Sequence, residues 1–249
     1  MISATSSFTY FALLTLTYFI LRYLMVDKYE NKGSSALGIA LLIVYLGISF
    51  ILQLLANMSN AKERCGGTPQ ILTALTYTAI PNVLIFGMLI MMLLFFPGWK
   101  APFSNTIGYL IVSSPIFKAR DVFNSILVKK SNNKLLNMVY RDPSLMINEI
   151  TPENFDIFIG KMGESKHPIL VPNFRDYIPK LYNLVVMKDR LAEFMWYLLT
   201  GALVISNSNS YIQTFKCNRT AGELASKLDN ALSNSSKKKK KKQKWKLAY

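Results

Sequence analysis

Apolar positions crowd the front of the chain in three blocks and thin out beyond residue 115. Phe8 to Val26 is apolar except for Arg22, which lies near the end of the block, where a long side chain can reach the interface. Ala36 to Ala56 falls within a charge-free stretch from Gly33 to Ala61, and Ile71 to Phe96 within another from Cys65 to Trp99. Each block approaches or exceeds the roughly 20 apolar residues that cross a bilayer as a helix. Three buried helices of this kind in a soluble protein would need a large polar shell, which this chain lacks. The first block carries its positive charge after the apolar core, and no small-residue cleavage pattern follows. It therefore reads as an uncleaved anchor rather than a signal peptide.

Behind residue 115 the periodicity becomes helical but weaker. In "NEITPENFDIFIGKM", Thr151 is expected as an N-cap with Pro152 at the first helical position and Glu153 in the first turn. Phe155, Phe158, Ile159 and Met162 then share one face. "KHPILVPNFRDYIP" is punctuated by prolines and reads as extended. A long helical pattern returns from about Lys180 to Ile205 and runs out in "SNSNS". Within it, "FMWYLLTGALVI" (Phe194 to Ile205) is free of charge but short, which favours a buried or interfacial helix over a crossing one.

Composition sharpens this picture. The 249 residues are 51% hydrophobic and 17% charged, more apolar than an ordinary soluble domain. Formal net charge is +15, and Lys237 to Lys246 supplies much of it. The first loop holds Arg22, Lys28 and Lys32, whereas the N-terminal stub holds no Lys or Arg. With three crossings the first loop and everything after residue 97 share the more basic side, so the expected orientation is N-terminus lumenal and C-terminal region cytosolic. On that topology Cys65 and Cys217 lie on opposite sides and no bond between them is expected. If Phe194–Ile205 inserts as a fourth element, the two cysteines reach the same side and can pair.

Candidate chemistry is sparse. Two cysteines and one histidine, His167, make no plausible zinc or iron–sulfur set, and no phosphate-loop, dinucleotide or hydrolase motif occurs. Glu149 and Glu153 sit beside a helix start, where acids favour the dipole, and His167 reads as a surface residue. No catalytic residue, cofactor or metal is expected. Pro81 inside the third block should free the carbonyl of Tyr77 and kink the helix. The N-x-[ST] matches at Asn57, Asn218 and Asn234 lie too near the bilayer or on the expected cytosolic side.

The segment leaving the third block is unusual. Pro97 and Gly98 stop the helix, and Trp99 with Lys100 reads as an interfacial anchor. "APFSNTIGYLIVSSP" then stays almost neutral, so it should be covered by headgroups, by its own domain or by another protein. We expect a rigid juxtamembrane platform over 98–117, with Trp99, Lys100, Phe103 and Tyr109 as docking residues. The tail from 219 to 249 reads as a disordered basic arm. There Trp245 stands between lysines, and the expected targets are anionic lipid or an acidic protein surface rather than specific nucleic acid.

Four strings, "CGGTPQ" (65–70), "FPGWKAPFSNTIGY" (96–109), "LMINEITPENFD" (145–156) and "WYLLTGALVISNSNSYI" (196–212), resemble a membrane protein family of nucleocytoplasmic large DNA viruses, nearest to chlorovirus-like viruses. The resemblance implies a virion component of the internal membrane, derived from host endoplasmic reticulum, that meets the capsid layer as a minor capsid protein. The expected fold is mainly α: three crossing helices, or four if Phe194–Ile205 inserts, in residues 1–97, then the platform over 98–117. A small, mostly helical capsid-facing domain over 118–218 and the basic tail complete it. The rival readings are a cellular endoplasmic-reticulum membrane adaptor and a viroporin-like channel.

Overall fold

The computed structural model describes residues 4–31, 35–128, 134–164 and 169–217. His167, the sequons at Asn218 and Asn234, and the tail with Trp245 lie outside the described residues. The described residues are mainly helical, joined by short turns and loops, and hold no strand, only an isolated antiparallel bridge between Leu127 and Leu170.

Three helices are long and apolar enough to cross a membrane: α1 (Ala4–Met25), α2 (Ser35–Arg64) and α3 (Ile71–Phe95). Their outward faces carry large apolar side chains such as Ile43, Leu72, Val83 and Leu94, which suit a lipid surround. The inward face of α2 is polar. Tyr45, Ser49, Gln53 and Asn57 follow one another at four-residue spacing and are all buried. Asn57 Nδ2 donates to Thr78 Oγ1 (2.8 Å) and to Ser208 Oγ (2.5 Å), and Asn82 Nδ2 donates to Gln53 Oε1 (2.8 Å). Apolar packing alone discriminates poorly between registers in lipid, so hydrogen bonds of this kind fix how the helices mesh.

The winding of α3 changes where the sequence says it must. It is α-helical to Pro81, widens to a π turn over Asn82–Phe86, and resumes as α over Gly87–Phe95. Pro81 cannot donate to the carbonyl of Tyr77, and the hydroxyl of Ser208 takes its place at 2.9 Å.

That hydroxyl comes from a fourth helix. Beyond a segment of mixed winding over 97–112, here α4, the chain builds four short helices: α5 (Ala119–Ile126), α6 (Lys134–Arg141), α7 (Ser144–Ile147) and α8 (Phe155–Gly163). It then enters α9 (Ile178–Thr214), a single helix of 37 residues. At 1.5 Å per residue this is about 55 Å long, enough to serve the extramembrane domain and the membrane bundle in turn. Its first half closes the domain core with Leu181, Val185 and Val186 around Phe123, Ile147 and Phe155. Its second half packs on α1, α2 and α3, with Tyr197 against Phe19 and Phe86 and Ile212 beside Cys65 and Ala74.

Several expectations are corrected here. Phe194–Ile205 lies inside the expected long helix, which does not end at Ile205 but runs on to Thr214 as α9. Its continuation runs from the Trp99 end of α3 to the Cys65 end, because "SNSNS" stays helical and buries Ser208 in the bundle. Cys65 and Cys217 are joined by a disulfide, contrary to the three-crossing expectation that separates them. α8 begins at Phe155 rather than at Pro152: Thr151 and Asn154 bond each other's backbone N–H, and the resulting turn precedes the helix. Among the described residues, the proline-punctuated segment is extended around Leu170 and then forms a 3-10 turn over Phe174–Tyr177. Asn57 is a buried hydrogen-bonding residue, so its sequon is inaccessible.

Candidate functional site at the junction of bundle and domain

Where α9 passes from domain to bundle its sequence reads "KDRLAE", Lys188 to Glu193. Asp189 and Glu193 are four residues apart and point the same way, toward the start of α4 and the end of α1. The aromatic, proline-braced exit from α3 turns Lys100 inward: it is only 4% exposed. Its Nζ lies 2.6 Å from Asp189 Oδ2, 3.1 Å from Glu153 Oε1 and 3.6 Å from Glu193 Oε1. On the other side of α9, Arg190 grips Asp27 with Nε (2.7 Å) and Nη2 (3.1 Å), and its Nη1 reaches Glu193 Oε1 at 2.6 Å. Arg22 donates to Tyr18 OH (2.8 Å) and stands 3.8 Å from Glu193 Oε2.

Lys188 faces the domain. Its Nζ donates to the carbonyl of Ile147 at 2.9 Å, tying α7 to α9. The platform approaches closely here, and a Cβ on Gly108 would sit 2.5 Å from the Lys188 carbonyl oxygen. Only glycine fits. Arg22, Lys100 and Arg190 thus meet Asp27, Glu153, Asp189 and Glu193 at one level, with Lys188 beside them on backbone carbonyls.

Burial and pairing pull these groups in opposite directions. Burial works against the Lys100 ammonium, but Glu193, Asp189 and Glu153 outweigh it and raise its pKa. Burial also opposes ionisation of Glu153, which Lys100 nevertheless holds below the usual range. For Asp189 burial wins, pushing the carboxyl up to about 6 despite Lys100. Burial likewise lowers Lys188 to about 8. A raised carboxyl contributes stability that is complete below its unfolded value and lost as pH rises through the folded one. For Asp189 that window is about pH 4 to 6. Lys188 contributes above its unfolded value and loses the contribution as pH falls through about 8. Relative to Asp189→Asn, the wild type should therefore lose roughly 2–3 kcal/mol between pH 4 and pH 6. Melting temperatures of the two proteins in detergent across that range check it.

The residues singled out from sequence fall around this cluster. Trp99 is half exposed and tilts against Trp196, whose indole N–H donates to the Trp99 carbonyl at 2.9 Å. Phe103 packs edge-on to Trp196, and Tyr109 OH accepts from Arg120 Nε at 3.0 Å. Lys100 is a buried ion-pair partner rather than a surface anchor, and Glu153 pairs with it instead of serving only the helix start. Sequence reading missed Asp27, Asp189, Arg190 and Glu193. The available signal was "KDRLAE" itself, a dense charge run abutting the charge-free start of "FMWYLLTGALVI".

Among the described residues no group of three or more His, Cys, Asp or Glu is placed to hold a metal ion. Comparison with protein-family models, with curated proteins and with solved structures finds no match to this chain.

Proposed function

We propose that the protein is a membrane-anchored adaptor whose juxtamembrane platform docks a protein layer onto the bilayer. In the finer form of this reading it is a minor capsid protein of a virion's internal membrane. The observation that carries it is an outward apolar ridge on a rigid support. Trp99, Leu110 and Ile116 are 49%, 72% and 83% exposed along α4 and the turn after it. Beneath them Lys100, Gly108 and Lys188 clamp the same segment to α9. An apolar surface held rigid loses little entropy on docking. The Cys65–Cys217 bond lies at the end of the bundle opposite the platform and suits an oxidising compartment there, which supports the reading that domain and platform face the cytosol, where such a layer would assemble.

The test replaces Leu110 and Ile116 with serine, because neither side chain is buried and the fold should survive. Membrane insertion and the disulfide should persist while incorporation into particles falls at least tenfold. Normal incorporation of the double variant rejects the docking role.

A further inference from the structure

A cavity of about 340 Å³ opens beside the charge cluster, at the level where α1 ends, α2 begins and α3 finishes. It exists because α2 packs closely on the first half of α3 but not on its last turns. One end is charged, formed by Arg22, Asp27, Arg190 and Glu193; the other is apolar, with Ile39, Leu42 and Leu94. Ile39 and Leu94 are also exposed on the outer surface, so the apolar end faces the lipid side of the bundle.

The two arginines differ in how fully they are used. Arg190 takes both oxygens of Asp27 and one of Glu193. Arg22 is less engaged: Nη1 donates to Tyr18 OH, the enclosed Nε stands 3.6 Å from Asp27 Oδ2, and the side chain keeps 20% exposure. A guanidinium that lines a cavity at headgroup depth and is only partly engaged is open to a further acceptor. Arginine favours phosphate oxygens in this role.

We infer that this cavity is a phospholipid site, with the phosphodiester on Arg22 and an acyl chain between Ile39 and Leu94. The charge balance selects the headgroup class. Arg22 and Arg190 are already matched by Asp27 and Glu193, so an anionic headgroup would bring an uncompensated negative charge beside two carboxylates. A zwitterionic glycerophospholipid, with its cationic end toward those carboxylates, keeps the site neutral. The site would hold one lipid between bundle and domain, at the point where the platform meets the bilayer.

The test is native mass spectrometry of the full chain released from nanodiscs holding equal parts phosphatidylethanolamine and phosphatidylglycerol. One retained phosphatidylethanolamine per chain is expected, with at least tenfold less retained phosphatidylglycerol. Arg22→Gln should lower retention at least tenfold. Gly38→Leu supplies an independent arm, because a Cβ there meets only Val26 Cγ1 at 3.4 Å and the longer side chain grows toward the cavity. It should lower retention with the Cys65–Cys217 bond intact. Equal retention of both lipids, or unchanged retention in disulfide-bonded Gly38→Leu protein, overturns the inference.

Discussion

Lys100→Met should destabilise the folded protein by about 3–5 kcal/mol, the range for removing one partner of a buried ion pair. The methionine fills much the same volume, so lost packing contributes little and the effect reports charge. Without Nζ, Asp189 and Glu153 each lose the only salt bridge they make among the described residues. Two carboxylates then stand close with less compensation, and one should take up a proton. Lys100→Met combined with Asp189→Leu should recover much of the loss, since an apolar pair of similar size replaces a buried ion pair at little cost. Chemical denaturation in mixed micelles measures both variants. A single variant within about 1 kcal/mol of wild type would mean that the cluster is solvated and does not hold the domain to the bundle.

The second large effect is expected at the disulfide. Cys65 and Cys217 are separated by 152 positions, and in the chain-entropy view a closed loop of that size stabilises by about 4–5 kcal/mol in water. Spans already held in a bilayer leave the unfolded chain less freedom, so about 2–4 kcal/mol is expected for the Cys65→Ser, Cys217→Ser double variant. On a non-reducing gel the wild-type chain should migrate faster than its reduced form, and the double variant should show no such difference. Ile212 and Phe215 pack beside Cys65 without help from the bond, so the end of α9 should loosen rather than leave the bundle.

Much of the architecture was legible because it depends on short-range pattern. Charge-free length marks α1, α2 and α3, and Pro81 marks the break in α3 down to the carbonyl it frees. The three- and four-residue apolar spacing of Phe155, Phe158, Ile159 and Met162 gave the packed face of α8, with Phe158 only partly buried. The course of α9 was not legible, because a hydropathy rule scores a helix by its lipid face. α9 turns one face to the other three helices and carries Ser208 and other polar residues there, where partners satisfy them, while Leu199 and Leu203 stay exposed. The same blindness hid the junction. Lys100, Glu153 and Asp189 are far apart in sequence, and each alone reads as an ordinary surface charge. Only the chain's return through the bundle brings them together.

That return is the central claim, and sidedness tests it most directly. Epitope tags placed before Met1, after Glu164 and after Tyr249 can be probed by protease on sealed microsomes. The fourfold passage of the chain predicts that the N-terminal and C-terminal tags share one fate, protected in the lumen, while the tag after Glu164 is digested. A C-terminal tag digested together with the one after Glu164, with the N-terminal tag protected, would contradict it.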